Sequence, residues 1–333
     1  MTAAANELGA RNEVQVLRDR IDQHLSELVL EREPAGLYDP IRYVLRSGGK
    51  RLRPILLLAS SRIFGAEDED ALPAALAVEV FHNFSLVHDD IMDHADERRG
   101  RPAVHVKWDE STAILCGDFL LGLSYDLLAR SGGSAKASTL VSRFQKMVAL
   151  LCEGQALDKE FETRDDVSVY EYLHMVDCKT GALLEASLEL GSMIGGAGAD
   201  ETSTMAEIGH NAGRAFQIKD DLLDLTADDE RWGKTIGGDL NEGKKTYLLL
   251  RAIERNSGPD RDWFLRIVRD GGLAVEKVGE ARERMRRSGV LEEARTEVLR
   301  YSRLAVNATN RLGESPAAEV LTWLLDQMRE RLH

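Results

Sequence analysis

Apolar residues recur every three or four positions along most of the chain, which is the spacing of an amphipathic α-helix. The same stretches are rich in Ala, Leu, Glu, Arg and Met, and no proline lies between Pro102 and Pro259. No alternating pattern is long enough to predict a strand. We predict helices over 11–31, 39–47, 52–64, 71–95, 109–130, 134–161, 168–176, 178–196, 200–227, 245–255, 260–270, 273–288, 291–309 and 315–331.

Two of these helices, 71–95 and 200–227, are apolar on most sides, which is typical of helices inside a bundle. No linker rich in Gly, Ser or Pro divides the chain. We therefore expect an all-α fold with one domain over 11–333, preceded by a flexible N-terminal tail over 1–10.

The composition of the chain argues against several kinds of partner and environment. The chain has 333 residues, of which 43% are hydrophobic, and a formal net charge of −14. It can bury a large core, and it lacks the basic balance typical of nucleic-acid binding. The cysteines Cys116, Cys152 and Cys178 form no CxxC pair, which favours a reducing cytoplasm over disulfides or structural zinc. No signal peptide and no run of about 18 apolar residues is found, so we expect a cytoplasmic protein without a membrane span.

Two predicted core helices carry the same acidic pattern, DDxxD. The first aspartate cluster is Asp89, Asp90 and Asp93, and the second is Asp220, Asp221 and Asp224. Positions i and i+4 share a helix face, so each cluster presents a pair of carboxylates. Buried carboxylates are costly without a compensating cation, and the simplest arrangement has the clusters facing each other across a cavity. Ligands that are all oxygens indicate Mg²⁺ shared with a substrate phosphate.

Basic residues next to glycines could bind such a phosphate, because glycine lets the backbone approach an anion. These residues are Lys50, Arg51, Arg53, Arg98, Arg99, Lys179, Lys234, Lys244 and Lys245. Arginine suits bidentate phosphate contacts and lysine acts as a mobile point charge. Carboxylates, Mg²⁺ and converging cations together indicate a diphosphate site. The stretch 238–245 reads GxxxxGKK, but it follows a predicted helix and lacks the final Ser or Thr of a nucleotide-binding loop.

The motif order GGKRLRP, DDIMD, RRG, KTG, FQIKDD–D and GDLNEGKKT strongly resembles the trans-isoprenyl diphosphate synthases, the polyprenyl synthetase family. The resemblance runs from about residue 35 to the C-terminus. It implies a bundle of long antiparallel helices around a deep central cavity (the isoprenoid synthase fold), usually as a homodimer. It also implies head-to-tail condensation of isopentenyl diphosphate with an allylic diphosphate, which is dimethylallyl, geranyl or farnesyl diphosphate.

The resemblance also implies roles for individual residues. Asp89, Asp93 and Asp220 are expected to ligate two or three Mg²⁺ ions, supported by Asp90, Asp221 and Asp224. The allylic diphosphate is expected on Arg98, Lys179, Gln217, Lys234 and Lys244. Isopentenyl diphosphate is expected on Lys50, Arg53, His82 and Arg99. Catalysis is expected to involve Lys179, Thr180, Gln217 and Arg98. Ala103 departs from the threonine that the family usually has after RRGxP, which leaves the charged set intact.

The product is expected to grow along helix 71–95, so side chains before Asp89 would form the floor of its cavity. At about 1.5 Å per residue, Ser85 lies ~6 Å and Phe81 ~12 Å below Asp89, while Phe84 is turned further away. A small residue above a large one indicates a product cavity of intermediate depth. Phe84, five positions before an uninterrupted DDIMD, resembles geranylgeranyl-type enzymes. We expect a C20 product, with C15 second and longer chains third; ordinary core packing of both phenylalanines is the alternative.

Two other classes of protein share part of this pattern. A class I terpene cyclase also uses DDxxD and Mg²⁺, but its second metal motif contains Asn or Asp, Ser or Thr, and Glu, whereas this chain has a second Asp cluster. A regulatory subunit of a heteromeric synthase would be expected to lose one Asp cluster, and this chain keeps both.

Overall fold

The protein was analysed as a computed structural model, which describes residues 3–28, 32–133, 136–227 and 236–330. The prediction of an all-α fold is confirmed. The helices are α1 (Ala3–Glu27), α2 (Ala35–Leu45), α3 (Leu52–Ile63), α4 (Asp68–Met92), α5 (Val104–Lys107), α6 (Glu110–Ala129), α7 (Ala137–Thr163), α8 (Val169–Val176), α9 (Ala182–Gly195), α10 (Ala199–Thr226), α11 (Gly238–Asn241), α12 (Tyr247–Arg255), α13 (Gly258–Arg269), α14 (Val278–Arg287), α15 (Val290–Thr309) and α16 (Pro316–Glu330). Short 3₁₀ turns cover Val275–Lys277 and Asn310–Leu312, and a π-helical turn covers Asp177–Gly181.

The flexible tail over 1–10 stays a prediction, although α1 is helical from Ala3 onward. The stretch is rich in alanine, which favours a helix. From Ala10 the helix buries a seam at spacings of three or four residues, formed by Ala10, Val14, Leu17, Ile21 and Leu25. That seam explains why the start of the chain joins a packed helix.

Two very short strands lie between α4 and α5. β1 (Glu97–Arg98) and β2 (Arg101–Pro102) pair antiparallel, with Glu97 opposite Pro102 and Arg98 opposite Arg101. Each strand has two residues, which is too short to show alternation in the sequence. We call the segment 97–102 the arginine hairpin. Arg99 and Gly100 at its tip have φ values of 56° and 69°, so both central residues take the left-handed conformation of a tight turn.

Contacts between residues divide the chain into two compact units, each assembled from three segments. The first unit contains Met1–Gln145, Ala186–Ala206 and Leu312–Trp323, and the second contains Lys146–Glu185, Glu207–Arg311 and Leu324–His333. The chain passes from one unit to the other several times, which explains why no linker marks a boundary in the sequence. The single domain over 11–333 and the central cavity stay predictions.

In the first unit, α4 packs against α3 and α6 and buries most of its length. Close approach elsewhere depends on glycine: a Cβ on Gly191 would lie 2.3 Å from the carbonyl oxygen of Leu57. The hydroxyl of Ser60 also donates to the carbonyl of Leu188 at 2.6 Å. These contacts fix α9 against α3, which in turn packs on α4.

α6 is long and apolar enough, by length and composition, to cross a membrane, although a core helix passes the same test. Only 39% of its apolar window is buried, and the helix also carries Asp118 and Asp126. Ile114 and Leu115 are exposed to 42% and 59%. The helix therefore has one face packed on α4 and one apolar face at the surface. The expectation of no membrane span stays a prediction.

In the second unit, α8 and α10 pack with α12 to α15 around a core that includes Tyr172, Ile218, Leu222, Leu249 and Phe264. A capping box begins α8: the Ser168 hydroxyl accepts from the Glu171 amide at 3.2 Å, and the Ser168 amide donates to Glu171 Oε2 at 2.9 Å. The cap fixes where α8 begins and therefore where its buried face points.

Candidate active site

The first aspartate cluster divides into one buried carboxylate and two accessible ones. Asp90 is 3% exposed, and its Oδ1 accepts from Arg98 Nε at 2.8 Å and from Arg98 Nη2 at 2.5 Å. Burial raises the pKa of Asp90, and the ion pair with Arg98 opposes that shift. Asp89 is half-buried and Asp93 is exposed, one helical turn apart. Asp90 therefore ties α4 to the arginine hairpin, and Asp89 and Asp93 form the pair that can reach a cation.

Arg98 and Arg99 of the arginine hairpin bind different partners. While Arg98 pairs with Asp90, Arg99 Nη1 donates to the Ser47 hydroxyl at 2.9 Å and to the Gly48 carbonyl. The Arg99 guanidinium also lies against Gly49, where an added Cβ would be 3.3 Å away. Gly49 has a φ of 150°, which side chains rarely adopt. The glycines of GGKRLRP thus bring the loop that carries Lys50 against Arg99.

Arg53 and His82 meet in the same unit. Arg53 Nη1 donates to His82 Nε2 at 3.1 Å. Burial, followed by the charges of Arg53 and Arg99, holds the pKa of His82 well below its usual value, so the ring is neutral. Burial also lowers the pKa of Arg53 to about 10. Within the described chain, Arg53 Nε is buried and has no hydrogen-bond partner. A buried cation with an unused N–H is an arrangement that an anion would complete.

The three residues predicted as the chain-length floor lie together on α4. Phe81 is fully buried and its ring centroid lies 5.3 Å from that of Phe84, which is half-buried. Phe81 also meets the Phe144 ring edge-on at 5.3 Å. The Ser85 hydroxyl donates to the His82 carbonyl at 2.9 Å, so this small residue turns its polar atom back to its own helix. We call Phe81, Phe84 and Phe144 the aromatic block.

Lys179 and Thr180 of the second unit lie on the π-helical turn Asp177–Gly181. Such turns are frequent at functional sites because they displace side chains from the regular helical positions. The turn packs tightly: a Cβ on Gly154 would lie 2.4 Å from the Lys179 amide nitrogen, and a Cβ on Gly213 would lie 2.7 Å from Gly181 Cα. Lys179 Nζ donates to Asp158 Oδ2 at 2.5 Å, which holds the lysine toward α7.

Four side chains of the second unit form one hydrogen-bonded chain. Thr180 Oγ1 donates to Gln217 Oε1 at 2.9 Å, and Gln217 Nε2 donates to Asp221 Oδ1 at 3.1 Å. Asp221 Oδ2 accepts from the Tyr172 hydroxyl at 2.6 Å and from the Tyr247 amide at 3.0 Å. Burial raises the pKa of Asp221 to about 6, although these hydrogen bonds oppose the shift. Asp221 therefore orients Gln217. Like Asp90, it is a buried carboxylate that accepts hydrogen bonds from other groups of the protein.

The remaining carboxylates of the second cluster lie nearer the surface. Asp220 is exposed, and Asp224 Oδ2 accepts from the amide of Asp239 at 3.3 Å. Burial and then the charge of Asp224 raise the pKa of Asp239 to about 7, while Lys244 lowers it. Lys244 pairs with Glu242 at 2.8 Å. The second cluster thus has four carboxylates where the sequence predicted three. Lys234 lies outside the described residues.

The donor set suits Mg²⁺ that is shared with substrate. Among the described residues, no three His, Cys, Asp or Glu side chains come together as a metal-binding group. Each cluster instead offers one or two accessible carboxylates, and Mg²⁺ commonly binds through that many, together with phosphate oxygens and water. The first cluster belongs to the first unit and the second to the second unit, so their predicted meeting across a cavity stays a prediction.

Sequence reasoning missed several residues that touch the predicted ones. Asp158 pairs with Lys179, Tyr172 binds Asp221, and Phe144 completes the aromatic block. These partners depend on which helices pack together, which the local pattern does not reveal. Asp239 could have been found, because it lies inside the quoted motif GDLNEGKKT.

Comparisons with known proteins agree with these features. The Polyprenyl synthetase family model matches residues 34–285. A short chain isoprenyl diphosphate synthase of Methanothermobacter thermautotrophicus is 39% identical over 312 residues, covering 94% of this chain and 95% of that protein. A geranylfarnesyl diphosphate synthase of Natronomonas pharaonis is 37% identical over 331 residues, covering 94% and 95%. The crystal structure of geranylgeranyl pyrophosphate synthetase from Pyrococcus horikoshii has a TM-score of 0.91 and 36% identity, covering 96% and 99%. The predicted resemblance is confirmed, and the chain belongs to the polyprenyl synthetase family.

Proposed function

We propose that this family member is a Mg²⁺-dependent prenyltransferase that condenses isopentenyl diphosphate with an allylic diphosphate into geranylgeranyl diphosphate. The observation that carries the proposal is the pairing of the Arg53 guanidinium with neutral His82, which leaves a buried N–H unused, in the unit that also carries Asp89 and Asp93. Arg99 lies against Gly49 of the GGKRLRP loop, and its charge acts on both Arg53 and His82. This arrangement supports a diphosphate site next to a carboxylate pair.

The chemistry follows from the charges of these residues. Asp89 and Asp93 of the first unit and Asp220 of the second would hold Mg²⁺, which would supply positive charge against the diphosphate. Arg98, Lys179 and Lys244 stabilise the departing diphosphate, so that the allylic C–O bond can ionise. The isopentenyl double bond, held close by its own diphosphate, then attacks the carbocation in an effectively intramolecular step. The attack leaves a carbocation on the isopentenyl unit, and loss of a proton from the adjacent carbon to the released diphosphate forms the new allylic double bond. An apolar pocket keeps water from both cations.

The chain's own residues have distinct tasks in this scheme. Thr180 and Asp221 hold the amide of Gln217, so its side chain is fixed before substrate binds. Asp158 holds Lys179 at the π-helical turn. Asp90 fixes Arg98 while Arg99 is drawn to the Gly48 loop. Preorganised groups of this kind lower the barrier because they need little rearrangement as charge develops.

The aromatic block supports a product of intermediate length. Phe81 is packed between Phe84 and Phe144, which makes it a rigid stop below Ser85 and Asp89. The synthetase of Pyrococcus horikoshii carries the name of a C20 enzyme, which agrees with this stop. The relative from Natronomonas pharaonis is named a geranylfarnesyl diphosphate synthase, which favours C25 as the second candidate.

The functional form is proposed to be a cytoplasmic homodimer. The exposed apolar residues Ile114 and Leu115 give α6 a surface that a second copy could cover. Cys116, Cys152 and Cys178 are all free thiols, which suits a reducing compartment.

One assay tests the function. The protein is incubated with Mg²⁺, isopentenyl diphosphate and dimethylallyl, geranyl or farnesyl diphosphate, and products are separated by length. Geranylgeranyl diphosphate as the main product supports the proposal, and a C25 product supports the second candidate. Cyclic hydrocarbons would indicate a terpene cyclase, and absence of turnover would indicate a non-catalytic subunit.

A further inference from the structure

A buried ion pair lies directly behind the proposed isopentenyl diphosphate site. Glu79 and Arg51 are each 2% exposed, and Arg51 Nη1 donates to Glu79 Oε1 at 2.5 Å. Glu79 is a single charge within an apolar run of α4, about one helical turn before the half-buried His82. A carboxylate in such a place needs a partner, and a buried pair is only tolerated when its remaining groups are also hydrogen-bonded.

All three guanidinium nitrogens of Arg51 are engaged inside the first unit. Nη1 binds Glu79, Nε binds Asp22 Oδ1 on α1 at 2.7 Å, and Nη2 binds the Leu45 carbonyl at the end of α2 at 3.2 Å. Arg51 thus links α1, α2 and α4. Burial opposes its charge, but Glu79 and Asp22 outweigh this effect and raise its pKa above the usual value.

The backbone of Arg51 also sets the start of α3. Its φ of 50° is in the left-handed region, which is uncommon for a residue with a side chain. Arg51 precedes Leu52, the first residue of α3, and Arg53 follows in that first turn. The contacts that hold the Arg51 side chain therefore also fix the turn that aims Arg53 at His82.

Glu79 acts on its neighbours by charge as well. Burial lowers the pKa of Arg53 and that of Arg99, and Glu79 opposes the shift in both. Arg99 lowers the pKa of Arg53, and Arg51 and Arg98 lower the pKa of Arg99, so these positive charges repel their neighbours. A cluster of like charges around a binding site needs a nearby counter-charge to stay assembled before the anion arrives.

We propose that Glu79 is a positioning residue for isopentenyl diphosphate, a buried counter-charge that holds Arg51 and keeps Arg53 and Arg99 gathered at His82. It does not touch the substrate. The inference rests on the proposed function and adds to it the group that assembles one of its two substrate sites. Glu79 binds Arg51 and Asn83, and its charge acts on Arg53 and Arg99 of the isopentenyl diphosphate site. Its effect should therefore fall mainly on that substrate.

The test compares Michaelis constants for the two substrates in Glu79→Gln, an isosteric change that removes the charge. We expect KM for isopentenyl diphosphate to rise about tenfold or more, because part of the substrate's binding energy is then used to order the arginines. KM for the allylic diphosphate should change less than about twofold. Glu79→Asp, which keeps the charge, should restore part of the affinity. Glu189→Gln is the matched control, since Glu189 also pairs with an arginine of the first unit, Arg143.

A second variant decides the matter if Glu79→Gln fails to fold. Asp22 is the outer partner of Arg51 and its side chain is 42% exposed, so Asp22→Asn should fold. We expect it to raise KM for isopentenyl diphosphate by about threefold and to leave the allylic value unchanged. Equal changes in both Michaelis constants, or no change in either variant, would overturn the inference while the proposed function stands. A wild-type protein that does not condense the two diphosphates would overturn both.

Discussion

The Tyr172 hydroxyl donates a 2.6 Å hydrogen bond to Asp221, which in turn accepts from Gln217. Tyr172 and Asp221 are 3% and 4% exposed, so their bond is shielded from water. The pair explains why the middle aspartate of the second cluster is buried while Asp220 beside it is exposed. Asp221 is a support for Gln217, just as Asp90 is a support for Arg98.

Tyr172→Phe tests this relationship. The change removes one hydrogen bond to a charged group and leaves Asp221 less able to orient Gln217. A bond of this kind is worth about 1.5–3 kcal/mol, so we expect the turnover number to fall about tenfold to a hundredfold. Tyr170→Phe on the same helix is the control, because Tyr170 is 82% exposed. Equal turnover in the two variants would show that the Tyr172 bond does not act on Gln217.

Removal of an accessible carboxylate should lower turnover far more than Tyr172→Phe does. We expect Asp89→Ala and Asp220→Ala each to lower turnover by about three orders of magnitude, since charge neutralisation at the diphosphate contributes several kcal/mol. Both side chains lie near the surface, so circular dichroism and the melting temperature should stay close to wild type. Asp126→Ala on exposed α6 is the control. Near-normal turnover in either cluster variant contradicts the metal assignment.

Metal removal gives an independent check of the same assignment. Because the described residues form no metal group by themselves, diphosphate and Mg²⁺ should bind together. We expect a chelator to abolish turnover and Mg²⁺ to restore it. Calorimetry of the allylic diphosphate should show binding weakened by about tenfold or more without the ion. Uptake that is indifferent to the chelator would argue against carboxylates bridged by metal.

The capping box of α8 predicts a pH-dependent stability. Hydrogen bonds from the Ser168 amide, followed by Arg164, lower the pKa of Glu171 from 4.5 to about 2. A depressed pKa means that the contribution is complete above about pH 4.5 and is lost as the pH falls through 2. Glu171→Gln should therefore lower the free energy of unfolding at pH 7, and the difference from wild type should narrow between pH 4.5 and pH 3.

Urea unfolding at pH 7 and at pH 3 measures this difference in the free energy of unfolding. Glu160→Gln is the control, because Glu160 also pairs with Arg164 but lies outside the cap. Ser168→Ala should cost about 1 kcal/mol at pH 7, since it removes the other half of the box, and less at pH 3, because the Ser168 hydroxyl also lowers the pKa of Glu171. A difference between Glu171→Gln and wild type that does not depend on pH would contradict the link to the carboxylate charge.

The helices could be predicted from sequence because each one buries an apolar stripe whose spacing is visible locally. Their ends differ from prediction by a few residues, and α1 begins eight residues before the predicted start at 11. The arginine hairpin could not be predicted, since two-residue strands leave no pattern. The aspartates and arginines were recognisable as motifs. Which aspartate is buried against Arg98 and which stays accessible depends on the side of α4 that packs on the arginine hairpin. Glu79 and Phe144 acquire their roles only through contacts between helices.

The aromatic block makes a prediction about product length. Phe84→Ala and Phe81→Ala each remove a ring below Ser85, so the growing chain should extend further and a share of C25 or longer products should appear. Phe84 is half-buried and its loss should be tolerated, whereas Phe81 is fully buried and Phe→Ala there costs about 3–5 kcal/mol. Phe264→Ala is the control for that loss, because Phe264 is equally buried in the second unit and lies outside the block. Chain lengths read by chromatography should lengthen in the first two variants and stay at C20 in the third; an unchanged profile in both block variants would mean that these phenylalanines are ordinary core.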